Sequence, residues 1–227
     1  VKNTVEYIYP HKEIKNLKSK YSVSEIKHMS MEENEDEASK VIAPERTKAV
    51  PRFRKGVYEE VKGTLRGTAY HRFFEILNYD CCKDYNSIEE YLKTSVAAGK
   101  ISEEYAGLIN LKRFEEFLQT DLGKRMGSAY KNGLLFREQP FIMELGADMI
   151  DKEYPSDEKI LVQGIVDAFF FEDDKVYIVD YKTDRVEQGK AGEKALVERY
   201  HKQLELYADT ISRVTGKETG GCYIYST

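Results

Sequence analysis

Val176-Tyr177-Ile178-Val179-Asp180-Tyr181-Lys182-Thr183 is an apolar run that ends in an acid, an aromatic residue and a lysine. Its valine, isoleucine and tyrosine content predicts a strand, and alternate side chains of a strand share a face. Asp180 and Lys182 therefore point the same way, one pleat apart. A carboxylate beside an ammonium at the end of a buried strand marks a candidate site. The acid can hold a divalent cation, and the lysine can orient water or neutralise a phosphate. Upstream, Leu161 to Phe171 reads as a second strand and carries Asp167. Glu172-Asp173-Asp174-Lys175 between them reads as a hairpin turn, which brings the two acids into one neighbourhood.

Each of these residues also has a plainer reading. Asp167 shares a strand face with Ile165 and Phe169, where a carboxylate is costly to bury unless it is paired or metal-bound. An arginine partner or a reach to solvent would explain it as well. Asp180-x-Lys182 alone is equally a surface ion pair. Together, however, Asp167, Asp180 and Lys182 supply what metal-assisted phosphodiester cleavage requires: two oxygen ligands and a nearby cation. His71, four residues before Glu75 on a predicted helix, reads by itself as a half-buried histidine. Glu138 is either a third acid or an edge-strand surface residue. Gln203 and Tyr207, four apart, share one helix face. They either face a cleft, where they would hold a phosphate or the lysine, or meet packing and solvent. No GxxxxGK[ST] loop occurs, so this stretch carries no nucleotide-hydrolysis motor.

The chain has 227 residues, 41% of them hydrophobic, enough for one substantial core. With 35 Lys plus Arg against 40 Asp plus Glu, the net charge is −5, which argues against nucleic-acid binding by bulk charge. Any such contact needs a local basic patch, bound cations or a neighbouring protein. Cys81, Cys82 and Cys222 form neither a disulfide framework nor a CxxC metal pattern, which fits a reducing, cytoplasmic setting. No apolar run approaches a membrane span and no signal peptide is evident. The chain begins with Val1 and is read as a fragment of something longer.

Residues 1–55 read as a connector and 56–227 as the compact domain. In the first part Val5–Pro10 is a short strand or linker piece. Ser22-Val23-Ser24-Glu25 has capping-box spacing before a short helix. Glu32–Glu37 is an acidic run, and Pro44 and Pro51 punctuate a connector. In the second part, helices are predicted from Gly67 or Thr68 to Leu77, at Ser87–Ala97, Ser102–Leu118 and Thr120–Met126, with Ser87 and Ser102 as N-caps and Gly99 and Gly127 as stops. Tyr70, Phe73, Phe74 and Leu77 make a core-facing stripe. A strand at Leu134–Met143, the two strands above, a helix from Gly192 to Val214 ended by Gly216, and a strand at Gly221–Tyr225 complete an α/β order.

The ordered set Gly67-Thr68-Ala69-Tyr70-His71-Arg72-Phe73-Phe74-Glu75, Gln163-Gly164-Ile165-Val166-Asp167, Val179-Asp180-Tyr181-Lys182-Thr183-Asp184 and Tyr200-His201-Lys202-Gln203-Leu204-Glu205-Leu206-Tyr207-Ala208 resembles the nuclease domain of the AddA and RecB helicase–nucleases, in the PD-(D/E)XK superfamily. The acid-x-lysine element is Asp180-Tyr181-Lys182, and Ile165-Val166-Asp167 stands where other branches have proline-aspartate. Ser22–Lys27 also resembles the segment before the nuclease in AddA-type subunits. The cysteines do not match the four-cysteine iron–sulfur pattern of AddB-type relatives, so no such cluster is expected.

The resemblance implies a restriction-endonuclease-like core, a mixed sheet flanked by helices, with a helical N-terminal extension. It implies that His71, Asp167, Asp180 and the Tyr181 carbonyl bind Mg²⁺, for which Mn²⁺ substitutes. Lys182 would position or activate water, and Gln203 and Tyr207 would support the site. Glu138 aligns only loosely with an acidic position of the family. The implied function is a DNA exonuclease domain of an ATP-dependent helicase–nuclease that processes double-strand ends for recombinational repair. A helicase motor would deliver a single strand, and an AddB-type subunit would be the partner. The alternatives are a free-standing RecB-like exonuclease, a restriction-type endonuclease, or a silent domain that binds DNA or a partner.

Overall fold

The computed structural model describes residues 17–27, 29, 55–150, 152, 154–183 and 189–227, with only the backbone of 55–63. The expected features at Val5–Pro10, Glu32–Glu37, Pro44, Pro51 and Asp184 lie outside these residues. Among the described residues five strands form one mixed sheet in the order β1-β3-β4-β5, with β2 also paired to β3. The strands are β1 (Lys20–Ser22), β2 (Leu135–Gly146), β3 (Lys159–Glu172), β4 (Lys175–Lys182) and β5 (Glu218–Ser226). A short helical stretch at 23–27 follows β1, and the further α-helices are α1 (Lys55–Ile76), α2 (Tyr85–Ala97), α3 (Glu103–Ala106), α4 (Leu111–Gln119), α5 (Asp121–Lys131) and α6 (Lys190–Thr215). The helix–strand–helix–strand order follows the sequence expectation. The chain divides into two compact units, one holding 140–164 with the N-terminal residues and the other holding 40–139 with 165–227.

The larger unit is built on an aromatic core. Tyr70, Phe73, Phe74 and Leu77 recur at helical spacing, and all four are buried, as the stripe predicts. They pack with Phe114 and Phe117 of α4, Ala168 and Phe170 of β3, and Val179 and Tyr181 of β4. Phe74 lies flat on Tyr181, 3.9 Å between centroids. Arg125 of α5 ties the helices to the sheet. Its guanidinium donates to Glu172 Oε2 at 2.5 and 2.8 Å and to Tyr223 Oη at 2.7 Å, and it stands 4.3 Å from the Tyr177 ring centroid.

The β3–β4 hairpin has the two-residue loop expected between Glu172 and Lys175. Asp173 and Asp174 both have positive φ, 48° and 62°, the primed-turn geometry that matches strand twist. β4 and β5 are parallel, so α6 makes the crossover between them. Gly216, at φ 67°, ends α6 in the left-handed conformation.

Several expected helix ends move. α1 begins at Lys55, so Gly67 lies inside it. A Cβ there would stand 3.3 Å from Thr183 Oγ1, so glycine lets α1 approach the end of β4 closely. Asp84, not Ser87, caps α2, and Ser87 closes the capping box from the third helical position. The Ser102–Leu118 helix is two, because Asn110 caps a new start and accepts from Lys112 N–H. Gly127 lies within α5, which continues to Lys131.

In the smaller unit β1 runs parallel to the start of β3, Lys20 opposite Leu161 and Ser22 opposite Gln163. The expected capping box is present. Glu25 N–H donates to Ser22 Oγ at 3.2 Å and Ser22 N–H donates to Glu25 Oε2 at 2.8 Å.

Candidate active site

The register Ala168↔Val179 puts Asp167 on β3 next to Asp180 on β4. Both are buried, at 8% and 0% exposure, in contrast to the solvent-exposed ion pair that Asp180-x-Lys182 would otherwise be. Asp167 Oδ2 accepts the Tyr181 backbone N–H at 2.8 Å. This cross-strand bond holds one carboxylate oxygen and leaves Oδ1 to face His71 Nδ1 at 3.4 Å. His71 comes from α1, one helical turn after Gly67, so the close seating of that helix sets the reach of its imidazole.

Glu138 completes this corner. Its Oε1 lies 3.8 Å from His71 Nδ1, and ligand atoms of His71, Glu138 and Asp167 all fall within 4.8 Å of one another. Glu138 has φ 48° inside β2, a left-handed conformation that breaks the strand's alternation. Arg137 anchors the strand beside it, donating to the Phe74 and Leu77 carbonyls at 3.3 and 2.6 Å at the end of α1. The two carboxylates govern His71. Burial by itself lowers an imidazole pKa, but the acceptor carboxylates of Asp167 and then Glu138 outweigh it and raise His71 to about 10. The two acids thus favour a positive charge at this corner, the position a metal cation would take.

Asp180 stands beside this group rather than within it. Lys182 Nζ donates to its Oδ1 at 2.8 Å and approaches Oδ2 to 2.6 Å. Gln203 Nε2 donates to the same Oδ1 at 3.0 Å and to Tyr207 Oη at 2.8 Å. Oδ2 is buried and has no hydrogen bond of its own, only the ion-pair approach of Lys182. Burial raises the Asp180 pKa to about 6, and Asp167 pushes the same way against the lowering effect of Lys182 and His71. Tyr207 is raised too, by burial first and then by the charges of Asp180 and Asp167.

Tyr200 belongs to the site although the sequence pattern assigned it no task. Its ring is buried and lies 4.5 Å from Lys182 Nζ. Its position three residues before Gln203 is the available signal, since 200, 203 and 207 fall on one helix face. The structure therefore gathers His71, Asp167, Asp180, Lys182, Gln203 and Tyr207, adds Glu138 and Tyr200, and brings Tyr181 in through its backbone amide.

The donor set fits a hard divalent cation. Carboxylate oxygens of Glu138 and Asp167 and the His71 imidazole converge, no thiol is among them, and the buried Asp180 carboxylate lies alongside with Lys182 at both its oxygens. Among the described residues no helix is long and apolar enough to cross a membrane.

Residues 46–227 match the PD-(D/E)XK nuclease superfamily. The whole chain is 32% identical, over 240 residues, to the A subunit of the ATP-dependent helicase/nuclease of Clostridium perfringens (strain SM101 / Type A), covering 19% of that protein. With the same-named protein of Thermoanaerobacter sp. (strain X514) identity is 36% over 231 residues, 99% of this chain and 18% of the relative. With that of Clostridioides difficile (strain 630) it is 30% over 237 residues, again 99% and 18%. The chain spans about a fifth of the length of these relatives. On its sheet, its paired buried aspartates and these similarities, the chain belongs to the PD-(D/E)XK nuclease superfamily.

Proposed function

We propose that this nuclease domain hydrolyses DNA phosphodiesters with a divalent cation, Mg²⁺ with Mn²⁺ as substitute, as the exonuclease of an AddA-type helicase–nuclease. The observation that carries the reading is the buried pair Asp167 and Asp180, with His71 and Glu138 on one side and Lys182 on the other. Asp167, His71 and Asp180 would hold the cation with help from the Tyr181 carbonyl, and Glu138 joins them from β2. A bound cation would supply charge neutralisation at the scissile phosphate.

The protein's own groups have separable tasks. Lys182 is held by Asp180 and by the Tyr200 ring, and from there it positions the attacking water or stabilises the charge that develops on the phosphate. Gln203 donates to Asp180 Oδ1 and thereby fixes the orientation of that carboxylate. Tyr207 holds Gln203. His71 would bind the cation as a neutral imidazole, so a proton on the ring competes with the cation.

The relatives' name supports a place in a larger machine. In that setting the substrate is a single strand delivered from a processed double-strand end during recombinational repair in the cytoplasm. A second, AddB-type subunit is the partner, and residues 1–55 connect this domain, 56–227, to upstream parts. The test is cleavage of single-stranded DNA with Mg²⁺, comparing the protein with Asp180→Ala and Lys182→Ala. Both variants stay folded and lose cleavage, by about 100-fold or more for the lysine if it acts in proton transfer. Equal cleavage by Asp180→Ala would overturn the assignment.

A further inference from the structure

We propose that the exposed face of Phe136 forms a nucleobase-binding subsite beside the cation corner, and that its ligand is an unpaired base of single-stranded nucleic acid next to the scissile phosphate. The proposal rests on the nuclease reading and adds the uncharged part of the substrate.

Phe136 is 37% exposed, yet its ring is held in place. It lies parallel to Phe169, 5.0 Å between centroids at 11°, and Phe171 meets both rings edge-on at 5.7 and 5.8 Å. Phe169 beneath it is buried, at 6% exposure. Scattered exposed apolar residues need no explanation, but an outward aromatic face braced by two other rings is a preformed surface.

Its location is specific. Phe169 and Asp167 are alternate residues of β3 and share a face, so Phe136 stacks on the ring next to the acid. Along β2, Phe136 is two residues from Glu138, the other carboxylate of the corner. On the far side of Asp167, again two residues along the same face, Ile165 is 50% exposed. The acid is thus flanked by apolar surface in both directions along its strand. A phosphodiester has the same pattern, a charged link with a flat base on either side.

Charge favours this reading. The chain carries −5 overall, and the corner itself is acidic, so phosphates gain little attraction beyond the cation. Stacking of bases on aromatic rings adds affinity that the overall charge does not supply, and does so without regard to sequence. Bases in a duplex are stacked on one another and cannot use such a platform, so the subsite selects unpaired strands.

Stopped-flow fluorescence on a single-stranded oligonucleotide carrying one 2-aminopurine, in Mg²⁺, reads stacking and cleavage separately. The protein quenches the probe. Phe136→Ala loses the quench and kcat/KM falls roughly 5- to 150-fold, the range for one lost base stack. Phe136→Tyr keeps both. On a strand with an abasic nucleotide at the probe position, Phe136→Ala and the unmodified protein cleave alike. An undiminished quench in Phe136→Ala overturns the proposal. So does an equal loss on the abasic strand, which makes Phe136 a packing residue, or cleavage unchanged on both strands, which leaves the ring to a protein partner. Quenching without any cleavage by the unmodified protein would instead count against the nuclease reading and leave the subsite standing.

Discussion

The Lys182 ammonium stands 4.5 Å from the centre of the Tyr200 ring while it lies 2.6 Å from Asp180 Oδ2. Two different forces thus hold one mobile cation: a carboxylate at its tip and a π face at its side. Removing the ring while keeping bulk, as in Tyr200→Leu, frees the lysine to rotate. Single-turnover cleavage is expected to fall by roughly 2- to 30-fold, the equivalent of about 0.5–2 kcal/mol of cation–π attraction. Tyr200→Phe keeps the ring and is expected to retain activity. If the phenylalanine variant fails as badly as the leucine one, the hydroxyl rather than the π face is what matters.

Glu138 reaches the His71–Asp167 corner from a strand residue at φ 48°. A backbone conformation that most residues avoid is maintained because Arg137 clamps the strand to the end of α1. Glu138→Gln keeps the shape and removes the charge. Calorimetric titration with Mn²⁺ is expected to show affinity weakened by about 10-fold or more, on the scale of losing one oxygen partner around a metal. Unchanged affinity would assign the corner to His71 and Asp167 alone.

The parts of this site that were legible in the sequence are those whose geometry is local. Strand alternation placed Asp180 with Lys182, the Glu172–Lys175 turn set the register that brings Asp167 alongside, and helical spacing aligned Gln203 with Tyr207. Glu138 was only loosely placed because a left-handed residue inside a strand leaves no periodic trace. Tyr200 stands within a motif yet shows no task there, since its partner lies on another element. The predicted burial stripe of α1 was right while its start was not. Gly67 reads locally as a helix boundary, and only the packing against Thr183 shows why a glycine sits mid-helix. The break at Gly107–Asn110 was hidden because Asn110 is an ordinary polar residue until its side chain caps the next helix.

Asp180 gives a pH signature in the absence of divalent cations. Burial raises its folded pKa to about 6 from an ordinary 3.8. The folded state then holds a proton that the unfolded chain has already released between these values. Stability from this group is therefore complete below about pH 4 and is lost as pH rises through about 6. Asp180→Asn cannot ionise, so its urea midpoint is expected to lack this decline and to exceed that of the unmodified protein at pH 8. Parallel pH profiles for the two proteins would show that Lys182 compensates the buried charge completely. A variant that is more stable yet inactive is the usual outcome when a functional carboxylate is neutralised.

Arg125 carries the last test, of the packing that supports the sheet. Its guanidinium donates to Glu172 and Tyr223 while lying 4.3 Å from the Tyr177 ring, 5.3 Å from Phe170 and 5.6 Å from Tyr223. The hydrogen bonds to Glu172 and Tyr223 raise its pKa despite opposing burial, so it is a permanent charge. Lysine keeps the charge but has neither the planar stack nor the fork of donors. Arg125→Lys is expected to lower stability by about 1–3 kcal/mol in urea denaturation, the combined range of a charged hydrogen bond and a stacked cation. Because Glu172 ends β3 at the hairpin, the loosening is expected to begin there, with hydrogen exchange accelerating at Phe170 to Tyr177 before it does at Asp180. Uniform acceleration across β3 and β4 would mean that the hairpin and the Asp167–Asp180 end of the sheet open as one unit.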